Sequence, residues 1–282
     1  MGEYAKITNY VQTTVTKDIH RAAISGNVGR IKELKQENAN LNEKDEQGNT
    51  ALHVAAKKGY KTICETLIKC GVEMEIKNKR NETAIEIALG AGHDDVATLL
   101  LDAGVNINKG GNGPPLLNAI CYRRRGMVEK LIKHGADVNH DMDEYGTSAL
   151  AYAINCESVT MVELLLKHKA DTNKEDIYGL TPAYWAIQRN KKGILNMLLN
   201  EGAKINEQAE ELLQRQKQFE MIEVILKRGI KLTIPNKWHF AEVMMKGAFP
   251  TLMKEMGKIG CHLSPKRKKP IALPIMLKAN NI

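Results

Sequence analysis

Gly48-Asn49-Thr50-Ala51-Leu52-His53-Val54-Ala55-Ala56 is followed by Gly59, by Ile63, Leu67 and Ile68 at helical spacing, and then by Gly71. Thr50 has the hydroxyl that accepts an orphan backbone N–H at a helix start. Ala55 and Ala56 make a helix slim enough for close packing. Gly71 supplies the left-handed residue that ends a second helix. The unit recurs along the chain. Its small first-helix residue runs Ala22, Ala55, Ala88, Ala119, Ala153, Ala186, at spacings of 33, 33, 31, 34 and 33. The residue closing its second helix runs Asn38, Gly71, Gly104, Gly135, Lys169, Gly202, with the same five spacings. Two markers that share one set of intervals establish a repeat, and repeats of this length stack into a solenoid.

Thr50, Thr83, Ser148 and Thr181 stand where each first helix begins. The second helices carry apolar residues at helical spacing, as in Val96, Leu99 and Leu100 or Val162, Leu165 and Leu166. A short extended stretch such as Ala136-Asp137-Val138-Asn139 then leads into the next hairpin. Thr50-Ala51-Leu52-His53 with Ala55-Ala56, Thr181-Pro182-Ala183 with Ala186, and Gly135 to Asn139 together resemble the ankyrin-repeat family over residues 16–229. The resemblance implies an all-α repeat solenoid of helix-turn-helix units joined by hairpin loops. The expected organisation is an N-terminal extension over 1–15, six repeats over 16–202, divergent capping repeats over 203–263, and a basic tail over 264–282. His53 matches the family histidine, whereas Glu86, Leu117, Ala151 and Tyr184 replace it in later units. At His20 and His53 the ring is expected to bond turn backbone.

Net charge is +8. From Asn200 onward fifteen Lys and Arg face eight Asp and Glu, a net of +7 that leaves the remaining chain at +1. Lys266, Arg267, Lys268 and Lys269 lie between Pro265 and Pro270, which forbids a helix and exposes the run. It resembles a nuclear-localisation signal, a phosphate-binding arm or an acidic-membrane contact, and otherwise reads as a solubilising tail. The Lys-, Asn- and Ile-rich composition, with that run, suits a secreted effector of an intracellular bacterium. No stretch approaches 18 consecutive apolar residues, so no membrane span is expected. The five cysteines form no C-x-x-C pair, which fits a reducing cytoplasmic or nuclear setting.

Recognisable phosphate loops, nucleophile elbows and metalloprotease motifs are missing from the sequence, so neither an enzyme nor a cofactor is expected. Lys109-Gly110-Gly111-Asn112-Gly113 reads as a mobile hairpin tip. In the basic C-terminal third aromatic interleaving is thin and no nucleic-acid motif occurs, so the sequence points to a protein partner and a monomeric chain. In the ankyrin family partners meet the hairpin tips and the exposed face of the first helices. Carried over position by position, this implies Lys57, Lys58 and Arg80 in units two and three. In units four to six it implies Tyr122, Arg123, Arg124, Arg125, Tyr145, Asn155, Tyr178 and Arg189, with Ile177 beside Tyr178. Tyr122, Tyr145 and Tyr178 are expected to be exposed, with Tyr145 and Tyr178, 33 apart, forming a ladder; Trp185 is expected to pack. Arg123 to Arg125 reads either as a grip on an acidic partner segment or as a solvated turn. The resemblance also implies Asn139 as a site of asparagine hydroxylation.

Overall fold

The computed structural model describes residues 18–216, 218–230 and 232. All of their regular structure is helical. Two compact units divide the chain, Met1–Leu212 and Leu213–Ile282.

The first unit is a stack of helix pairs. Repeat 1 is α1 (18–25) and α2 (Val28–Gln36). Repeat 2 is α3 (Ala51–Lys58) and α4 (Lys61–Lys69), and repeat 3 is α5 (Ala84–Ala91) and α6 (Asp94–Asp102). Repeat 4 is α7 (Pro115–Cys121) and α8 (Arg125–Lys133). Repeat 5 is α9 (Ala149–Asn155) and α10 (Val159–Lys167), and repeat 6 is α11 (Pro182–Gln188) and α12 (Lys192–Asn200). Two further helices follow, α13 (Glu207–Arg215) and, in the second unit, α14 (Phe219–Lys227). Both fall within the stretch expected to hold divergent repeats. The N-terminal extension, the helices expected over 238–246 and 250–258, and the basic tail lie outside the described residues.

Ala22, Ala55, Ala88, Ala119, Ala153 and Ala186 are all buried, as close approach of neighbouring first helices requires. Thr50 and Thr83 head capping boxes, and the hydroxyls of Ser148 and Thr181 accept the N–H groups of Ala151 and Tyr184. Each second helix ends on a left-handed residue: Asn38, Gly71, Gly104, Gly135, Lys169 and Gly202 all have positive φ. Asn38 and Lys169 hold that conformation without glycine's freedom, which costs about 1–2 kcal/mol each. The turn within each pair is also left-handed, at Gly26, Gly59, Gly92, Arg123, Glu157 and Asn190. Between these turns the core is built from Leu, Ile and Val on every helix, among them Leu52, Leu67, Leu89, Leu100, Leu131 and Leu165. Each such side chain contributes about 1.5–3 kcal/mol by leaving water.

Candidate interaction surface

One device shapes most hairpin tips. The Asp45 carboxylate accepts the N–H groups of Gln47 and Asn49. Asn78 Oδ1 does the same for Arg80 and Glu82, Asp143 for Tyr145 and Thr147, and Asp176 for Tyr178 and Leu180. The acceptor's short side chain thus satisfies the donors two and four residues on and fixes the turn from within. Partial burial works to raise the Asp143 carboxyl. Hydrogen bonds from Thr147, Tyr152 Oη and Tyr145 outweigh it and hold the group below its ordinary range. Neighbouring tips are joined by backbone bonds, Lys79 N–H to Gln47 carbonyl at 3.0 Å and Ile177 N–H to Tyr145 carbonyl at 2.9 Å.

With the turn locked internally, the outward residues are open to variation. At the tips of repeats 5 and 6 they are Tyr145, Ile177 and Tyr178, 45%, 65% and 63% exposed. The two tyrosine rings stack with centroids 6.2 Å apart and planes 26° from parallel, the ladder expected from their spacing. Tyr122 is 53% exposed at the end of α7 and lies over Gly90 of the preceding repeat, where an added Cβ would be 3.3 Å from its hydroxyl. Trp185 is half-buried and meets Tyr184 edge to face at 5.7 Å.

The remaining candidates are spread more widely. Lys57, Lys58 and Arg80 are exposed, and Arg80 pairs with Glu82 at 2.9 Å. Asn155 Oδ1 accepts from Arg189 Nε at 3.1 Å, which links the inner faces of repeats 5 and 6. The three consecutive arginines diverge. Arg123, in the left-handed turn, donates forward to the Cys156 carbonyl at 2.5 Å. Arg124 reaches back to the Gly92 carbonyl and to Asp94, 3.3 Å away. Arg125 pairs with Glu129 on its own helix. Arg124 is thus a tie between repeats, at the position where His93 bonds the Lys57 carbonyl one repeat earlier and Lys191 pairs with Glu157 two repeats later. The expectation of a joint arginine grip is corrected by this geometry: a helix–turn–helix corner points successive side chains apart.

Asn139 is also engaged. Its Oδ1 accepts the Asp171 N–H at 2.7 Å, and its Nδ2 donates to the Lys169 carbonyl at 3.4 Å. The Cys121 thiol lies within hydrogen-bonding reach of the Cys156 thiol. Shielding by surrounding side chains, then the neighbouring thiol, push it up to about 11.

The glycine-rich segment is a second correction. It is not a free tip but a cradle around Glu86, a carboxylate on a residue only 5% exposed. Glu86 Oε2 accepts from Thr83 N–H, Thr83 Oγ1 and Gly111 N–H at 2.7–2.8 Å, and Oε1 from Asn112 N–H at 2.9 Å. A Cβ at Gly110 would fall 1.8 Å from the Gly113 carbonyl oxygen, and one at Gly111 1.5 Å from that of Asn81. One repeat earlier His53 fills the same role with opposite chemistry. Its Nδ1 accepts the Thr50 N–H at 3.1 Å, so Nε2 carries the proton and donates to the Glu82 carbonyl at 3.1 Å. Burial holds its ring below the ordinary imidazole range. A donor on the helix calls for a carbonyl on the next hairpin, and an acceptor calls for N–H groups. The replacement of His by Glu at 86 and the glycine run 25 residues on are therefore one feature, which the sequence presents separately as a lost histidine and a mobile tip.

The family sequence pattern "Ankyrin repeats (3 copies)" matches residues 19–111, 64–141 and 116–209. The chain belongs to the ankyrin-repeat family. It is 31% identical over 142 residues to the "Transient receptor potential cation channel subfamily A member 1 homolog" of Caenorhabditis elegans, half of this chain and 12% of that protein. It is 34% identical over 59 residues to human "Ankyrin repeat domain-containing protein 39", covering 21% of this chain and 32% of that one. Over 57 residues it is 37% identical to human "Protein phosphatase 1 regulatory subunit 27", 20% of this chain and 37% of the other. The matches thus span 12–37% of these relatives' lengths. The solved ankyrin repeat domain of Bcl-3 aligns with a TM-score of 0.66 at 21% identity, over 73% of this chain and 97% of that one, a likeness of fold. Among the described residues no helix is long and apolar enough to cross a membrane, and no cluster of His, Cys, Asp or Glu is placed to hold a metal ion.

Proposed function

We propose that this protein is a non-enzymatic interaction module whose repeats 4 to 6 dock a partner protein, the chain itself acting as a monomer. The observation that carries this reading is the exposure of Tyr122, Tyr145, Ile177 and Tyr178 on those three repeats. Tyrosine supplies large rigid contact area with few rotamers to immobilise, and it is over-represented among residues that dominate binding energy. Arg123, Asn155 and Arg189 add polar contacts on the inner face. A relative named as a regulatory subunit of a phosphatase supports the same class of function.

Affinity capture from cell lysate tests this reading, with the intact chain set against a Tyr122→Ala/Tyr145→Ala/Tyr178→Ala variant of unchanged helical content. Loss of a partner from the variant is the expected result. A partner retained by the variant but lost on removal of residues 213–282 would overturn it in favour of the C-terminal unit.

A second reading rests on the sequence of Lys266, Arg267, Lys268 and Lys269 between prolines, which suits nuclear import. Deleting residues 264–270 should then abolish nuclear accumulation of a tagged chain; an unchanged distribution would sink that role.

A further inference from the structure

The tips of repeats 5 and 6 carry a charge opposite to that of the chain. Residues 141–147 and 174–180 hold Asp141, Asp143, Glu144, Glu175 and Asp176 against one cation, Lys174, a local net of −4 within a chain of +8. Lys174 is spent on Asp141, 2.6 Å away. Asp143 and Asp176 face inward onto their turns. Glu144 and Glu175 are exposed, Glu144 taking the Tyr145 hydroxyl's hydrogen bond and Glu175 Oε1 accepting from Asn206 Nδ2 at 3.3 Å. The tip of repeat 3 differs, with Lys77, Lys79 and Arg80 against Glu82.

Aromatic faces exposed beside carboxylates attract cations twice over. The ring quadrupole favours a cation lying within about 6 Å of its centroid, and the carboxylates add a field that draws positive charge to the same place. A planar guanidinium stacks on a ring and bonds a carboxylate with its fork, which a hydrated ammonium does less well. The same field repels phosphate, so a nucleic acid fits poorly. A wholly apolar helix would leave the carboxylates desolvated and unpaired.

We propose that the tips of repeats 5 and 6 recognise an arginine-bearing basic segment of the partner protein, its guanidinium lying on the Tyr145–Tyr178 pair within the field of the surrounding carboxylates. This rests on the interaction reading above and specifies the partner's chemistry at that site.

The test uses the full chain and three labelled twelve-residue probes, Gly-Ser peptides bearing three arginines, three lysines or three citrullines, followed by fluorescence anisotropy. The arginine peptide is expected to bind more weakly as salt rises, because exposed charges are screened. It should bind several-fold better than the lysine peptide, and the uncharged citrulline peptide should not bind. Tyr145→Ala/Tyr178→Ala and Glu144→Gln/Glu175→Gln should each weaken the arginine peptide at least tenfold, while Lys32→Ala/Lys35→Ala, exposed on α2 of repeat 1, leaves it unchanged. Equal binding by wild type and both tip variants, or no binding of the arginine peptide, would overturn the proposal. A captured partner that needs Tyr145 and Tyr178 yet contacts them through a segment without arginine or lysine, or an RNA held there, would also overturn it. The captured-protein case would leave the interaction reading standing.

Discussion

The hairpin entering repeat 4 and those entering repeats 5 and 6 hold the same place in the stack and are fixed in opposite ways. In the latter pair an aspartate inside the turn, Asp143 or Asp176, satisfies the turn's own N–H groups. The outward positions are then released from structural duty and carry Tyr145, Ile177 and Tyr178. In the former the lock comes from outside, from Glu86 of the previous repeat, and the loop folds inward to meet it. Its residues are consumed by fit, which is why they are glycines. The hairpins closed by their own aspartate display a surface; the one closed by a neighbour's carboxylate packs onto it instead.

The largest effect should come from crowding the inward loop. Gly111→Ala places a methyl 1.5 Å from a backbone oxygen, so main chain must move. A loss of about 3 kcal/mol or more is expected, at the upper end for overpacking. Gly146→Ala, at a tip closed from within, has φ of 72° but nothing nearer than 3.8 Å. It should cost only the left-handed strain of about 1–2 kcal/mol. Urea unfolding of both variants checks the contrast, and equal losses would break the comparison.

Next comes a substitution that restores the family residue. Glu86→His recreates the side chain found at His53, yet it should destabilise. The ring could still accept the Thr83 N–H, but its second nitrogen would present a donor to the N–H groups of Gly111 and Asn112. Leaving buried donors unpaired costs about 1–3 kcal/mol. A variant as stable as the natural chain would show that the carboxylate does not hold the loop.

The repeat was legible because its markers are steric. A left-handed residue must close each second helix, so Asn38 and Lys169 could be placed by register alone, and both have positive φ. Exposure of Tyr122, Tyr145 and Tyr178 was legible for the same reason, since register fixes which face a residue takes. The arginine run misled because sequence adjacency suggests one patch, whereas a tight corner sends Arg123, Arg124 and Arg125 to different partners. Glu86 was visible only as a departure from the motif. Its meaning depends on which atoms donate and which accept across 25 residues, and spacing does not carry that.

A smaller effect separates the His53 lock from the Glu86 lock by pH. The folded chain holds His53 neutral, because a proton on Nδ1 would face the Thr50 N–H and burial penalises the charge. The unfolded chain takes up that proton as pH falls through its ordinary value of 6.5. Below that value the unfolded state binds more protons, so stability from this site is full above it and declines as pH drops toward the lower folded value. Unfolding midpoints taken from pH 7.5 down to 5 should show a decline that is reduced in His53→Gln. An identical slope in the variant would assign the pH dependence elsewhere.

The smallest effect on stability should come from the residues given the largest effect on binding. Tyr145 and Tyr178 stack on each other and are 45% and 63% exposed, so Tyr145→Ala/Tyr178→Ala loses mainly one exposed ring pair, about 0.5–1.5 kcal/mol. The internal lock of each turn passes through Asp143 and Asp176 and through backbone N–H groups that alanine retains. Asp143→Ala should therefore cost more than removing both tyrosines, although it takes away a smaller side chain. It would strand the Tyr145 and Thr147 N–H groups and the Tyr152 hydroxyl together. Parallel urea melts of the two variants read the order directly. If the tyrosine pair proved the more costly, the rings would be part of the fold and not its display, and the division between self-closed and neighbour-closed hairpins would fail.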